Sequence, residues 1–223
     1  MGGDAEDGQS LDIVARTPEL AVSLRGLIVD GGDGDISLDG TLFSPTGEIE
    51  SLPVTVNIDR PVLEEVRFEP VDAGLLLSYE DGESAHLMAN YTAASVLNER
   101  YEFHSAIVTS EEGNNVDVFA IADPIPIFIV GAGILAAACL VGGGVSWLVE
   151  WVQTHSTGQA QACRDRGLFP KIGIELDWKF SLRRLELGCK ARPVFKCQNS
   201  NGETISEERG EWKSVHDLSG SAA

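Results

Sequence analysis

No lysine occurs before Lys171, and the first 124 residues hold only 5 arginines against 25 aspartates and glutamates. Phosphate backbones need a basic surface, so this half of the chain excludes nucleic-acid recognition and disfavours docking on anionic lipid. The start, MGGDAEDGQSLDIVAR, has no basic stretch followed by an apolar one, which excludes a cleavable signal peptide. Glu6 stands where a myristoylation motif needs Ser or Thr. There is no CxxC pair: Cys163, Cys189 and Cys197 are spaced by 25 and 7 residues. Joined by His216 they fit no standard zinc module, so no metal site is expected. Residues 125–149 carry no charge at all.

What is there divides into three chemically different stretches. The 223 residues, 43% of them hydrophobic, are enough for one or two domains with a real core. Of the net charge of −19, −20 falls on residues 1–124 and +1 on the residues from Glu150 onward. Residues 1–10 read as a disordered leader. Residues 11–122 read as an acidic β-sandwich, with a small barrel as the alternative. Short apolar runs such as LDIVA (11–15), ISLDGTLF (36–43), LPVTVNI (52–58) and VDVFAIA (116–122) alternate with turns rich in Asp-Gly and Gly-Gly. The cluster Asp30 to Asp39 invites a calcium loop. Leu38 and Ser44 occupy the places where an EF-hand needs Gly and Glu, so a hairpin turn is expected instead. His86 and His104 lie in strand-like runs far from any nucleophile spacing and read as packed or surface residues. Asn90-Tyr91-Thr92 fits the glycosylation acceptor pattern, but so short a match is expected by chance.

The apolar stretch PIPIFIVGAGILAAACLVGGGVSWLV runs 26 residues, from Pro124 to Val149. About 20 apolar residues span the ~30 Å hydrocarbon core of a bilayer, so the run predicts a transmembrane helix, with a helical extension to residue 166. Asp123 suits the N-cap and Pro124 the first helical position. Trp147 and Trp151, one turn apart, suit a membrane interface. Ala132, Ala136, Ala138, Gly142 and Ser146 form small-xxx-small spacings that let helices approach closely, which points to a homo-oligomer.

Residues 167–210 return to a β pattern, with Ile172, Ile174, Leu176, Trp178, Phe180 and Leu182 alternating. They predict a small sheet followed by a flexible tail at 211–223. Cys163, Cys189 and Cys197 are candidates for a disulfide whose connectivity spacing cannot decide. Orientation is contradictory. Arg164 and Arg166 after the helix favour a cytoplasmic C-terminal region, whereas the absence of a signal peptide and the cysteines favour the reverse.

The fold class expected is thus mainly β with one long hydrophobic helix. The function expected is that of a single-span membrane protein whose β-sandwich is a binding or assembly module, with a bilayer and an unidentified protein as partners. Alternatives are a membrane-perforating or fusion-type protein that inserts on assembly, and a structural subunit burying the helix in a ring or filament. No cofactor and no enzymatic activity are expected, since no base, nucleophile and oxyanion site assemble from the spacing.

Overall fold

The computed structural model describes residues 8–28, 36–47, 51–58, 66–71, 74–79, 84–96, 100–109, 115–142, 158–181, 186–219 and 221–222; in 66–71, 74–79, 84–87, 178–181, 186–189, 214–219 and 221–222 only the backbone is described. The chain is mainly β. Strands β1 (Gln9–Arg16), β2 (Ala21–Ile28), β3 (Ile36–Phe43) and β4 (Leu52–Ile58) form an antiparallel meander. A second meander follows: β5 (Val66–Val71), β6 (Gly74–Tyr79), β7 (Ser84–Val96), β8 (Tyr101–Thr109) and β9 (Asn115–Ala122). Strand β9 closes back onto β1. Each run alternates because successive side chains point to opposite faces of a strand. Leu11, Ile13 and Ala15 of β1 face inward, as do Val116, Val118 and Ala120 of β9.

Helix α1 (Ile127–Gly142) comes next, then a second helix, α2 (158–165). Strands β10 (Phe169–Ser181) and β11 (Glu186–Gln198) form a long hairpin. Both β12 (Thr204–Arg209) and β13 (Lys213–Ser219) pair with β11, at its two ends. Strand β10 runs parallel to β4, from Ile174↔Val54 to Trp178↔Ile58, and joins the C-terminal strands to the first meander. The last strand, β14 (Ser221–Ala222), pairs with β7. The path β11–β10–β4–β3–β2–β1–β9–β8–β7 is therefore returned to its start by β13 and β14.

That ring encloses α1. The helix touches β1, β2, β4, β5, β8, β9, β11 and β13. Strands are ~4.8 Å apart, so a flat sheet of this many strands would be several times wider than a helix ~10–12 Å across. Contact with strands from both ends of the order requires the sheet to wrap. Residues Ile129 to Gly142 are all buried, and Leu11, Ile13, Leu24, Leu38, Leu42 and Ile58 supply the wall around them. Gly133 sets the closest approach: a Cβ there would meet Ile13 Cδ1 at 2.5 Å and Leu11 Cδ2 at 3.3 Å.

Several expectations change here. The apolar run does not appear as a spanning helix. Its described helical part has 16 residues, about 24 Å at 1.5 Å per residue, against ~30 Å of hydrocarbon. Among the described residues no helix is long and apolar enough to cross a membrane. A protein interior and a lipid interior select the same uncharged residues, and here the chain's own strands provide the apolar surroundings. The sandwich with a separate small sheet becomes one large sheet, because β10 hydrogen-bonds to β4. Strand alternation is the same in both architectures; the partners differ.

Asp123 does not cap α1, which begins at Ile127. Its carboxylate accepts hydrogen bonds from the Ser10 backbone N–H (2.7 Å) and the Ser10 hydroxyl (2.9 Å), while its own N–H donates to Ser10 O (3.0 Å). These bonds hold the Asp123 carboxyl below the usual carboxylate range and fasten the β9–α1 corner to β1. Gly167 ends α2 in the left-handed region (φ 70°). The Leu168 N–H reaches Cys163 O at 3.1 Å and the Gly167 N–H reaches Arg164 O at 2.8 Å.

Candidate functional site

The residues singled out from sequence are placed as follows. Ala132, Ala136, Ala138 and Gly142 are buried in α1 against strands of the same chain. Ser146, Trp147 and Trp151, and the 30–35 cluster, lie outside the described residues. Cys163 of α2 and Cys197 of β11 form a disulfide (Cα–Cα 5.8 Å). Cys139 is disulfide-bonded as well, while the Cys189 side chain lies outside the described residues.

A feature that periodicity did not single out is the outer face of the β10–β11 hairpin. The inner residues Ile174, Leu176 and Ala191 are buried. The outward residues of β10 meet those of β11 in the order Asp177↔Lys190, Glu175↔Arg192, Gly173↔Val194, Lys171↔Lys196. Two opposite-charge pairs are followed by a gap and then by two lysines directly opposite each other. The gap is a depression of about 380 Å³ lined by Pro53, Thr55, Lys171, Gly173, Lys196 and Arg209, among others. Gly173 makes the depression: a Cβ there would stand 3.1 Å from Pro53 O.

One side of the depression is held by ion pairs. Glu175 Oε2 accepts from Arg192 Nε at 2.7 Å and lies 3.4 Å from Arg209 Nε, and Asn57 Nδ2 donates to Glu175 Oε1 at 3.3 Å. Glu207 takes Arg209 Nη2 at 2.7 Å and Lys196 Nζ at 3.4 Å. The Trp212 ring covers the Arg192 guanidinium, 4.2 Å from its centroid, a cation–π contact that fixes the fork pointing at Glu175. Among the described residues Lys171 has no ion-pair partner, and it is exposed. Like charges directly opposite on neighbouring strands are destabilising, by roughly 0.2–1 kcal/mol. In a chain with 35 acidic and 16 basic residues, Lys171 faces another cation across the strands, while Lys196 has Glu207 on its other side.

A second polar cluster is buried. Strand β7 has a bulge between Ala89 and Thr92, with Asn90 in the left-handed region (φ 50°), so Met88 and Tyr91 both turn inward. Tyr91 Oη lies 2.9 Å from His104 Nδ1, and His104 is 1% exposed. Burial, reinforced by Glu102, raises the Tyr91 hydroxyl to about 12, so it stays protonated beside Nδ1. Burial lowers His104 despite Glu102, whose Oε2 is 3.4 Å from Nε2 but out of hydrogen-bond alignment. Burial thus favours the neutral imidazole.

Comparison with protein families, curated proteins and solved structures finds no match for this chain. Function rests on the geometry alone. A signal for the outer face was nonetheless present: the chain's first lysine begins the alternating run Lys171, Gly173, Glu175, Asp177, the polar complement of the isoleucines and leucine between them.

Proposed function

We propose that the protein is a binding module that takes an anionic group, a carboxylate or phosphate, in the depression over Gly173, between Lys171 and Lys196. The observation that carries this reading is the pair of lysines in register, with Lys171 unpaired among the described residues. The ion pairs at Glu175 and Glu207 keep Arg192, Arg209 and Lys196 in place, so a ligand arrives at a site that is already ordered. Isothermal titration with glucuronate and inorganic phosphate tests it. Lys171→Ala and Lys196→Ala should each weaken binding by about tenfold, and added salt should weaken it further. Unchanged affinity in both variants removes the reading.

A second reading keeps the bilayer as partner. Helix α1 is apolar around its whole circumference and uncharged, so if the ring opened the helix would suit lipid as well as it suits the strands. The protein would then be of the membrane-inserting or perforating kind, acting on a trigger. Dye release from liposomes separates the two: leakage at some pH or lipid composition is required by this reading and is not required by the first. Self-association through Ala132, Ala136, Ala138 and Gly142 would belong to that opened form, because in the closed ring those residues pack on their own strands.

A further inference from the structure

The depression over Gly173 does not end at Lys171. A second one of about 560 Å³ adjoins it, sharing Lys171 and Gln198 and lined further by Arg164, Phe169 and Asn199. We infer that the two form a single elongated site for an acidic oligosaccharide in which a uronate alternates with a neutral sugar. The inference rests on the anion site proposed above and names its ligand.

Three observations carry it. The first is continuity through the two shared residues. The second is the order of chemistry along the surface. The lysine pair is followed two residues away on the same strand face, about 6–7 Å at the strand rise, by Phe169, and Arg164 lines the same depression as that ring. Phe169 is 56% exposed, an aromatic ring beside the polar residues Lys171, Gln198 and Asn199. An exposed ring flanked by cations offers an apolar platform for the C–H face of a sugar whose neighbours carry carboxylates. The helix turn that bears Arg164 is anchored: the adjacent Cys163 is bonded to Cys197 of β11, and the Gly167 turn ends the helix immediately before β10.

The third is the charge of the whole molecule. With a net of −19 the chain repels a densely charged polymer, and duplex nucleic acid presents a phosphate every ~3.4 Å of each strand. A sugar chain charged only at every second unit meets less repulsion while still supplying one carboxylate to each cationic end of the site.

The test is titration of the intact protein with glucuronate, with a hexasaccharide alternating glucuronate and N-acetylglucosamine, with neutral maltohexaose, and with oligothymidylate and a short linear polyphosphate. The expected result is that the hexasaccharide binds at least about tenfold more tightly than glucuronate, and maltohexaose not measurably. The surface variant Arg164→Ala/Phe169→Ala should bring the hexasaccharide down to the affinity of glucuronate and leave glucuronate itself unchanged. Lys171→Ala/Lys196→Ala should weaken both. If glucuronate binds but the hexasaccharide binds no more tightly, the elongated site is overturned and the anion site stands. Binding of neither overturns both. Tighter binding of polyphosphate or oligothymidylate overturns the saccharide assignment.

Discussion

Two walls of the same sheet treat charge in opposite ways. On β1 and its neighbours, outward charges face their opposites: Asp12 stands across from Arg25 at 3.3 Å, and Arg16 across from Asp117 at 3.8 Å. Arg16 also lies over the Phe119 ring, 5.4 Å from its centroid. On β10 and β11 the same pattern holds for Asp177↔Lys190 and Glu175↔Arg192, then breaks at Lys171↔Lys196. Both walls present aliphatic residues to α1 on their inner side. The difference is confined to the outside, next to a depression. That departure from pairing is the observation on which the proposed anion site rests.

The largest expected effect concerns what fastens the second wall. Replacing Cys163 and Cys197 by serine removes a cross-link between residues 34 apart in sequence. Loop-closure entropy makes that worth about 3–4 kcal/mol, so denaturant unfolding should show a loss of that order, with β1–β4 amides among the last to lose hydrogen-exchange protection. An unchanged midpoint would mean that α2 is held onto β11 by other contacts.

Next comes the buried polar pair on the β7–β8 wall. His104→Leu leaves the Tyr91 hydroxyl without its partner and should cost about 1–3 kcal/mol. It should also change the pH profile. The folded value of His104 is below its ordinary 6.5, so on acidification the unfolded chain takes up the proton first. Stability is then full above the ordinary value and is lost as pH falls from about there toward the folded value. At the other extreme Tyr91, raised from 10.0 to about 12, makes stability fall as pH climbs past its ordinary value. Urea midpoints across pH should show the acid loss in the native chain and a smaller one in His104→Leu; parallel profiles would sink the assignment.

The smallest effect is the sharpest for the comparison. Lys171→Glu places a carboxylate opposite Lys196 and should stabilise by roughly 0.2–1 kcal/mol while abolishing anion binding. Arg25→Glu, on the paired wall, faces Asp12 and Asp39 and should destabilise by a similar amount. Opposite signs in unfolding measurements support the distinction between the walls; equal signs dissolve it.

Much of this was legible locally. The N-terminal strands, the β return after Leu168 and the helical core of the apolar run follow from alternation, absence of charge and backbone chemistry. Where the structure departs from the expectation, the cause is common. The run around Ala132 to Gly142 was assigned to lipid because hydropathy reports that a segment avoids water and is silent on what replaces the water. Asp123 was assigned to the helix that follows it, whereas its partner, Ser10, is more than a hundred residues earlier. The proposed site was not legible because Lys171, Lys196 and Arg209 are ordinary surface residues until register puts them side by side.

The sequence by itself determined that there would be strands, one wholly apolar helix and two electrostatically unlike regions, since each depends on neighbours within a few residues. Only the tertiary structure decided that β10 would lie along β4, that β13 and β14 would complete a ring around the helix, and that two lysines would share a depression. Those outcomes depend on which strands pair and in what register, and strand pairing is a long-range choice made by fitting whole faces together.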